Sequence, residues 1–246
     1  MGSERPDVSL FFPVYNDERT VRVVTEKALE VLERIAGEYE ILIIDDGSPD
    51  RSGEIADQLE TEYACVRVIH HQTNRGYGEA LKTGLSQARY EWICFTDGDD
   101  EYDVRDIENL FRLRDHYDLI ITFRYVRLYS GFRVFVSRIY NTLVRWVFQT
   151  RFRDISTGLR LVRKSVIEQI DLHSSSPFIG AEIAIKVMLM GYRIGEVGIQ
   201  TFPRSFGRGM TVTRANIIAT LRDLLSVYRD IFSETYRLPP GRDRMK

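Results

Sequence analysis

The sequence predicts an α/β fold, a mostly parallel central sheet with helices on both faces, followed by C-terminal amphipathic helices. Three observations predict it. Short apolar runs alternate with segments of helical periodicity from Val8 to about residue 115, the pattern of strands joined by crossover helices. Three of those runs stop at acidic or polar turns, as strands do at the ligand-binding edge of an open sheet. The 246 residues, 43% hydrophobic and 28% charged, suffice for a large α/β domain and its core.

Each element follows in order. "VSLFFPVYN" (residues 8–16) is an apolar strand ended by a Pro-containing loop. Residues 18–36 carry apolar side chains at helical spacing and stop before Gly37. "YEILIIDDGSPD" is a strand that ends in Asp45-Asp46-Gly47-Ser48, and "SGEIADQLETEY" is helical. "VRVIHH" (residues 66–71) is a strand, "GYGEALKTGLSQA" a helix opened by glycine, and "WICFTD" the next strand. The chain shows no internal repeat, low-complexity tract or clear linker.

Bulk properties narrow the function. A net charge of −2 argues against a general nucleic-acid binder, so no nucleic-acid partner is expected. No apolar run approaches the roughly 18–20 residues of a transmembrane helix. The start "MGSERPDVSL" lacks the apolar core of a signal peptide. Cys65 and Cys94 lie in apolar runs with no metal-knuckle or CxxC spacing, and read as buried free thiols of a reducing compartment. A cytoplasmic chain is expected. The charge is unevenly spread: residues 124–164 hold ten Lys or Arg against one acid, Asp154, a local +9.

The chemistry gathers at strand ends. Pro13-Val14-Tyr15-Asn16-Asp17, Asp45-Asp46-Gly47-Ser48 and Asp97-Gly98-Asp99 are expected to face one crevice. Like charges crowded there are tolerable if a cation joins them. Asp97 and Asp99, with Gly98 allowing a sharp turn, suit Mg²⁺ or Mn²⁺, and Glu101 can add a third carboxylate. The other reading is a solvated acidic turn. His70 and His71 have no nearby acidic or Cys partner in sequence and read as loop or surface histidines. "NRGYGEALKTG" (residues 74–84) follows the third strand, not the first, so it is not a nicotinamide fingerprint. It reads as a helix-opening loop close to a ligand, or as a plain helix start.

Together these residues resemble the family 2 glycosyltransferases of GT-A fold, and more narrowly the dolichyl- and polyprenyl-phosphate mannosyl- or glucosyltransferases. The carrying motifs are "FPVYNDE", "ILIIDDGSPD", "NRGYGEALKTG" and "FTDGDDEY", then "SRIYNTLVRW", "DISTGLRLVRKS", "GAEIAIKVMLMGYRIGEVGI" and "RSFGRG", in family order over nearly the whole chain. The resemblance implies a nucleotide-sugar donor and a polyprenyl phosphate acceptor. It makes Pro13, Tyr15, Asp17 and Asp45 base and ribose contacts, with Asp46, Asn74, Gly76 and Asp97 also on the donor side. It makes Asp97 and Asp99 the diphosphate–metal motif, with Glu101 where the family usually has a metal-binding Gln. Arg124, Arg138 and Arg204 match phosphate-binding positions, and Glu182 an acceptor-side acid. The family tail RxxGxSK departs here to Arg204-Ser205-Phe206-Gly207-Arg208-Gly209-Met210, and no QxxRW of processive synthases is present. Residues 1–115 are then the nucleotide-sugar half of the domain, 116–213 the acceptor half and 214–246 a C-terminal helix with a polar tail.

A helical projection of residues 132–151 sets Phe132, Phe135, Val136, Ile139, Tyr140, Leu143, Trp146 and Val147 on one side. Arg133, Ser137, Arg138, Asn141, Arg145 and Arg151 fall on the other. That describes a helix lying on an anionic membrane surface, or one packed on the sheet. Residues 214–232 form a second amphipathic helix, expected to pack on the core or in a homodimer. The expected place is the inner membrane face, peripherally, with a membrane-embedded partner left open. The resulting expectation is an inverting, metal-dependent hexosyltransferase. Its rivals are the same fold acting on a soluble saccharide with Glu182 as general base, a silent sugar-nucleotide-binding subunit, and, more weakly, a nucleotidyltransferase.

Overall fold

The computed structural model of the chain describes residues 5–125, 131–202 and 213–232, with the side chains of Phe132 and Arg133 outside the description. Strands β1 (Val8–Val14), β2 (Tyr39–Asp45), β3 (Val66–His70), β4 (Trp92–Phe95), β5 (Leu119–Arg124), β6 (Arg160–Arg163) and β7 (Ile194–Ile199) form one seven-stranded sheet in the order β3-β2-β1-β4-β6-β5-β7. β6 runs antiparallel to both its neighbours, β4 and β5, while β1 pairs with β2 and β4, β2 with β3, and β5 with β7 in parallel. The sheet crosses from the expected donor half into the acceptor half without a break.

Alternation along the strands builds two cores. Val8, Leu10, Phe12 and Val14 of β1 face one side, with Ile41 and Ile43 of β2. There they meet helices α1 (Val21–Ile35), α2 (Ser52–Glu62) and α4 (Ile107–Phe111), the last entered through a 3₁₀ turn at Val104–Asp106. Phe11, Leu42 and Ile44 face the other side, toward α3 (Tyr77–Gln87), α5 (Gly131–Phe148), α7 (Ile179–Leu189) and α8 (Arg214–Phe232). A short α6 (Lys164–Ile167) follows β6 directly. A strand that feeds apolar side chains to both faces must be covered on both, so the central strands are buried but for the partly buried Pro13 and Tyr39.

Two helices depart from the sequence projection. α5 ends at Phe148, not Arg151, and Gln149 beyond it takes a positive φ of 53°. Its buried face is Asn141, Val144 and Phe148, with Tyr140, Leu143 and Val147 packed against the core. Phe135, Ile139 and Trp146 are turned outward instead, on the same side as Arg138 and Arg145. The projected apolar face is therefore split: half of it packs, and the arginines share the exposed half. In α8, Leu224, Val227 and Ile231 are buried, and Tyr228 meets Phe148 of α5 at 6.3 Å between ring centres. Ile217, Ile218, Leu221, Leu225, Tyr228 and Phe232 are exposed, so most of the predicted packing stripe faces away from this core. Among the described residues no helix is long and apolar enough to cross a membrane.

α7 is buried along nearly its whole length, yet it encloses a charged pair. Lys186 Nζ lies 2.9 Å from Glu182 Oε1 and 2.9 Å from Asp230 Oδ2 of α8. It also donates to the Asp171 carbonyl at 2.5 Å, while Glu182 accepts the N–H groups of His173 and Ser174 at 3.0 and 2.8 Å. Burial alone would push the Glu182 carboxyl up. Hydrogen bonds from Ser174, His173 and Lys186 outweigh it and hold the carboxyl below its ordinary range. Burial likewise opposes the Lys186 charge, and Glu182 and Asp230 outweigh it to raise the lysine.

A lowered acid gives stability that is lost as pH falls through its folded value, and a raised base gives stability that is lost as pH rises through its folded value. The pair therefore contributes fully between the unfolded values, about pH 4.3 and 10.4. Lys186→Met leaves Glu182 as an uncompensated buried charge and is expected to cost about 3–5 kcal/mol. Lys186→Met with Glu182→Gln is expected to recover part of that. Urea unfolding of both variants at pH 7 measures the difference.

Candidate active site

The strand register brings the candidate residues to one edge. Val14 of β1 stands opposite Asp45, Asp45 opposite His70, and Arg124 opposite Ile199. Because β6 is reversed, its beginning lies at this edge: Arg160 pairs with Phe95 of β4 and Ile121 of β5. The segment before it, residues 154–158, is thereby delivered beside the acidic turn that follows β4.

On the expected donor side, Asp45 and Asp46 are both buried. Asp45 Oδ1 accepts the Ser48 N–H at 3.0 Å, and its Oδ2 meets His70 Nδ1 at 2.8 Å. Asp46 accepts the N–H groups of Arg75 and Gly76 at 2.9 and 2.8 Å, and meets His71 Nδ1 at 2.7 Å. The two histidines read from sequence as lacking acidic partners thus each back one of the paired aspartates. The signal was the parallel register, which sets the end of β3 beside the end of β2. Gly76 opens α3 at φ 91°, a conformation reserved for glycine, and Asn74 beside it is exposed. Pro13 is the penultimate residue of β1, and the Tyr15 N–H donates to Asp17 Oδ2 at 3.2 Å. The Asp17 carbonyl accepts from Thr20 and Val21 to start α1.

After β4 the acids are separated by individual partners. Asp97 Oδ1 accepts the Tyr77 hydroxyl at 2.9 Å, and Gly158 packs so close that a Cβ there would stand 2.5 Å from Asp97 Oδ2. Burial, with Asp97 beside it, holds the Tyr77 hydroxyl protonated far above its ordinary range. Asp99 is buried and accepts the Glu101 N–H at 3.0 Å. Asp100 takes φ 57° and is held by Lys27 of α1 at 2.8 and 2.9 Å. The sharp turn expected at Gly98 therefore falls on Asp100; Gly98 is small because a Cβ there would meet the Pro13 carbonyl at 2.7 Å. Asp103 is neutralised by Arg105, whose Nε and Nη2 reach it at 2.9 and 2.7 Å.

Asp97 and Asp99 offer hard oxygen donors of the kind that Mg²⁺ or Mn²⁺ shares with a diphosphate. Glu101, read as their third partner, is buried while its backbone carbonyl accepts from Phe202. Among the described residues no three His, Cys, Asp or Glu side chains form a group that could hold a metal ion. The donor chemistry fits a cation that completes its shell from a substrate, not from a protein cage.

The arginines divide. Arg124 Nε donates to Asp154 Oδ2 at 2.8 Å, and its Nη2 to Ser156 Oγ at 2.6 Å. Asp154 also accepts Asn141 Nδ2 of α5 at 3.2 Å and Ser156 Oγ at 2.7 Å. Arg138 is exposed on α5, one residue beyond Ser137, which lies 3.4 Å from Arg124 Nη2. Arg204 and the motif at residues 204–210 lie outside the described residues. Glu182, placed on the acceptor side by the sequence and offered as a general base, is instead sealed at 0% exposure against Lys186.

Arg160 was quoted within a motif but given no role, although a charge inside the apolar run "GLRLV" was a signal. It is 1% exposed and donates to the carbonyls of Ile155, Thr157 and Gly180, the first at 2.6 Å and the second at 3.1 Å. Burial draws its pKa down, against the pull of Tyr77, Tyr140, Tyr102 and Asp154. The guanidinium fork thus ties the loop beside Asp97 to the start of α7.

Residues 9–171 match the sequence model of Glycosyl transferase family 2. The chain is 28% identical over 240 residues to a dodecaprenyl-phosphate galacturonate synthase of Rhizobium johnstonii, covering 96% of this chain and 69% of that protein. It is 31% identical over 176 residues to an undecaprenyl-phosphate 4-deoxy-4-formamido-L-arabinose transferase of Photorhabdus laumondii, covering 70% and 54%. With Glycosyltransferase AglD of Haloferax volcanii it shares 29% over 208 residues, 80% of this chain but 33% of that one. The chain thus spans from a third to about two thirds of these relatives. Among solved structures it resembles glucosyl-3-phosphoglycerate synthase of Mycobacterium tuberculosis in complex with Mn²⁺, UDP-glucose and phosphoglyceric acid, at 17% identity and a TM-score of 0.74, covering 91% of this chain and 80% of that one. That likeness shows the GT-A fold.

Arg160→Lys keeps the charge but not the fork, leaving a buried carbonyl without its donor. It is expected to lower stability by about 1–3 kcal/mol. Arg145→Lys, on the exposed face of α5, is expected to stay within about 0.5 kcal/mol. Chemical denaturation of the two variants beside the parent compares them.

Proposed function

The chain belongs to glycosyl transferase family 2, and from that premise we propose that it moves one hexose from a nucleotide sugar to a polyprenyl phosphate. The observation that carries this reading is the meeting, at one sheet edge, of the Asp45–Asp46 and Asp97–Asp99 turns with the Arg124–Asp154–Ser156 network. The relatives named for polyprenyl-phosphate sugar transfer support the acceptor class. GDP-mannose and UDP-glucose are the proposed donors.

In this reading Pro13, Tyr15, Asp17, Asp45 and Asp46 hold the nucleoside, with Asn74 and Gly76 closing beside it. Asp97 and Asp99 would hold Mg²⁺ or Mn²⁺, which supplies offset charge for the departing nucleoside diphosphate. Lys27, Arg105, His70 and His71 keep the neighbouring acids from repelling one another and the donor. Arg124, Arg138 and Arg204 meet the acceptor phosphate, since a guanidinium matches phosphate oxygens in two-point contact.

A polyprenyl phosphate is already an anionic oxygen nucleophile at neutral pH, so transfer with inversion needs no strong general base. The burial of Glu182 agrees with that and weighs against the soluble-saccharide alternative, whose base it was to be. The exposed Phe135, Ile139 and Trp146, set among Arg138 and Arg145, fit a helix resting on the inner face of an anionic membrane. The aromatic rings would enter the interface, and the arginines would meet lipid phosphates.

Nucleoside diphosphate release from a panel of GDP- and UDP-sugars, with Mn²⁺ and with or without a short polyprenyl phosphate, tests the proposal. Release that depends on the lipid is the expected result; release with saccharides alone would move the chain to a soluble acceptor. Asp99→Ala is expected to lower turnover at least about 100-fold with the far-UV spectrum unchanged. Arg138→Ala is expected to raise the acceptor KM about tenfold and leave the donor KM in place. An unchanged acceptor KM would remove Arg138 from the acceptor site.

A further inference from the structure

Both ring nitrogens of His70 face carboxylates. Nδ1 lies 2.8 Å from Oδ2 of Asp45 at the end of β2, and Nε2 lies 2.8 Å from Oδ1 of Asp57 on α2. An ionised carboxylate only accepts, so both contacts are hydrogen bonds only when the ring carries two N–H groups. A neutral ring has one, and sets a lone pair against whichever carboxylate is left. His71 differs in that its second nitrogen meets a hydroxyl, that of Thr83 at 3.0 Å, and not a second carboxylate.

Among the described residues the charged groups facing the His70 ring are Asp45 from β2 and Asp57 from α2, and the backbone of Gly53 at the start of α2 approaches it too, a Cβ there standing 3.5 Å from the ring. Among the described residues β3 is the edge strand of the sheet. Partial burial works against the charge on the ring, and the two carboxylates outweigh it, so the pKa lies above the ordinary histidine value.

We propose that His70 is a positioning residue for the nucleotide-sugar donor: its imidazolium, held from behind by Asp57, fixes and partly neutralises Asp45. Donor affinity is therefore highest with His70 protonated and falls as pH rises. The proposal rests on the reading of Asp45 as a donor contact. Two effects act in the same direction. Loss of the proton removes an orienting hydrogen bond from Asp45, and it removes a positive charge from a site that must accept an anionic donor among acids. The raised pKa fixes the window: the clamp is intact below about pH 6.5 and is lost as pH climbs through the higher folded-state value.

The test combines two measurements on the full chain. The C2–H resonance of His70, assigned by its absence in His70→Asn, is followed by NMR against pH. Binding of UDP-glucose and GDP-mannose is measured by calorimetry with Mg²⁺ from pH 6 to 8.5. Nucleotide sugars are the right probes because a free nucleoside diphosphate titrates on its own terminal phosphate in that range. His70 is expected to titrate above about 6.5, and Asp57→Asn to lower that midpoint. The Kd of the bound nucleotide sugar is expected to rise roughly threefold to tenfold from pH 6.5 to 8.5. That rise moves to lower pH in Asp57→Asn and disappears in His70→Asn. Asp57 is an exposed α2 residue on the far side of the ring, so a purely structural effect of its replacement would not displace the profile along the pH axis. The proposal is overturned by a His70 midpoint at or below the ordinary value, or by an affinity that ignores pH in the parent chain. Failure of both nucleotide sugars to bind at any pH, with His70 titrating as expected, overturns the donor reading itself and the link drawn from it.

Discussion

Carboxylates at the ends of neighbouring parallel strands repel, and the edge of this sheet is organised around that repulsion. Asp45 ends β2 and Asp46 follows it, Asp97 and Asp99 follow β4, and β1 lies between the two strands. Parallel pairing leaves no choice in the matter, since every strand that carries an acid at its end delivers it to the same side. The surroundings answer acid by acid: His70 on Asp45, His71 on Asp46, Tyr77 on Asp97, a backbone N–H on Asp99, Lys27 on Asp100 and Arg105 on Asp103. These partners come from the end of β3, from α1 and α3, and from the turns that follow β4. The acids thus bind α1, α3 and β3 to the edge as much as they serve a ligand.

The second constraint is the reversal of β6. An antiparallel strand inserted between β4 and β5 brings its leading end to the functional edge, and Arg160 then pins the approaching loop by three carbonyls. The buried guanidinium is thus held by carbonyls, and among the described residues no carboxylate is in ion-pair contact with it. It places Gly158 against Asp97, so the acidic turn and the arginine-bearing half of the site share a wall.

The N-terminal half was legible because its strands are long, apolar and punctuated: β1, β2 and α3 lie where the runs and the glycine placed them. The C-terminal half was harder to read. β6 has four residues, two of them arginines, and no period could announce it. α5 misled the projection because its buried stripe includes Asn141, whose polar side chain is satisfied by Asp154 and by the backbone around Ile155. Hydropathy assigned that residue to water. Glu182 took its acceptor-side role from the family resemblance alone, and the fold buries it against Lys186, one turn on, a pairing that the resemblance does not contain. His70 and His71 gained their partners from strand register, which no single segment of sequence contains.

The position of α8 has a mechanical side. Asp223 of that helix accepts the N–H groups of Ser175 and Ser176 at 3.0 and 2.9 Å, and the Ser175 carbonyl accepts the Gly78 N–H at 3.0 Å. Gly78 lies in the first turn of α3, two residues from the Gly76 N–H that holds Asp46. Asp230, two turns further along α8, is locked to Lys186. The helix is therefore bolted at two places, one of them a short train of hydrogen bonds that ends at the paired aspartates. A load on its outward apolar face is borne by the loop that holds Asp46, so α8 acts as a strut and not as a hinged flap.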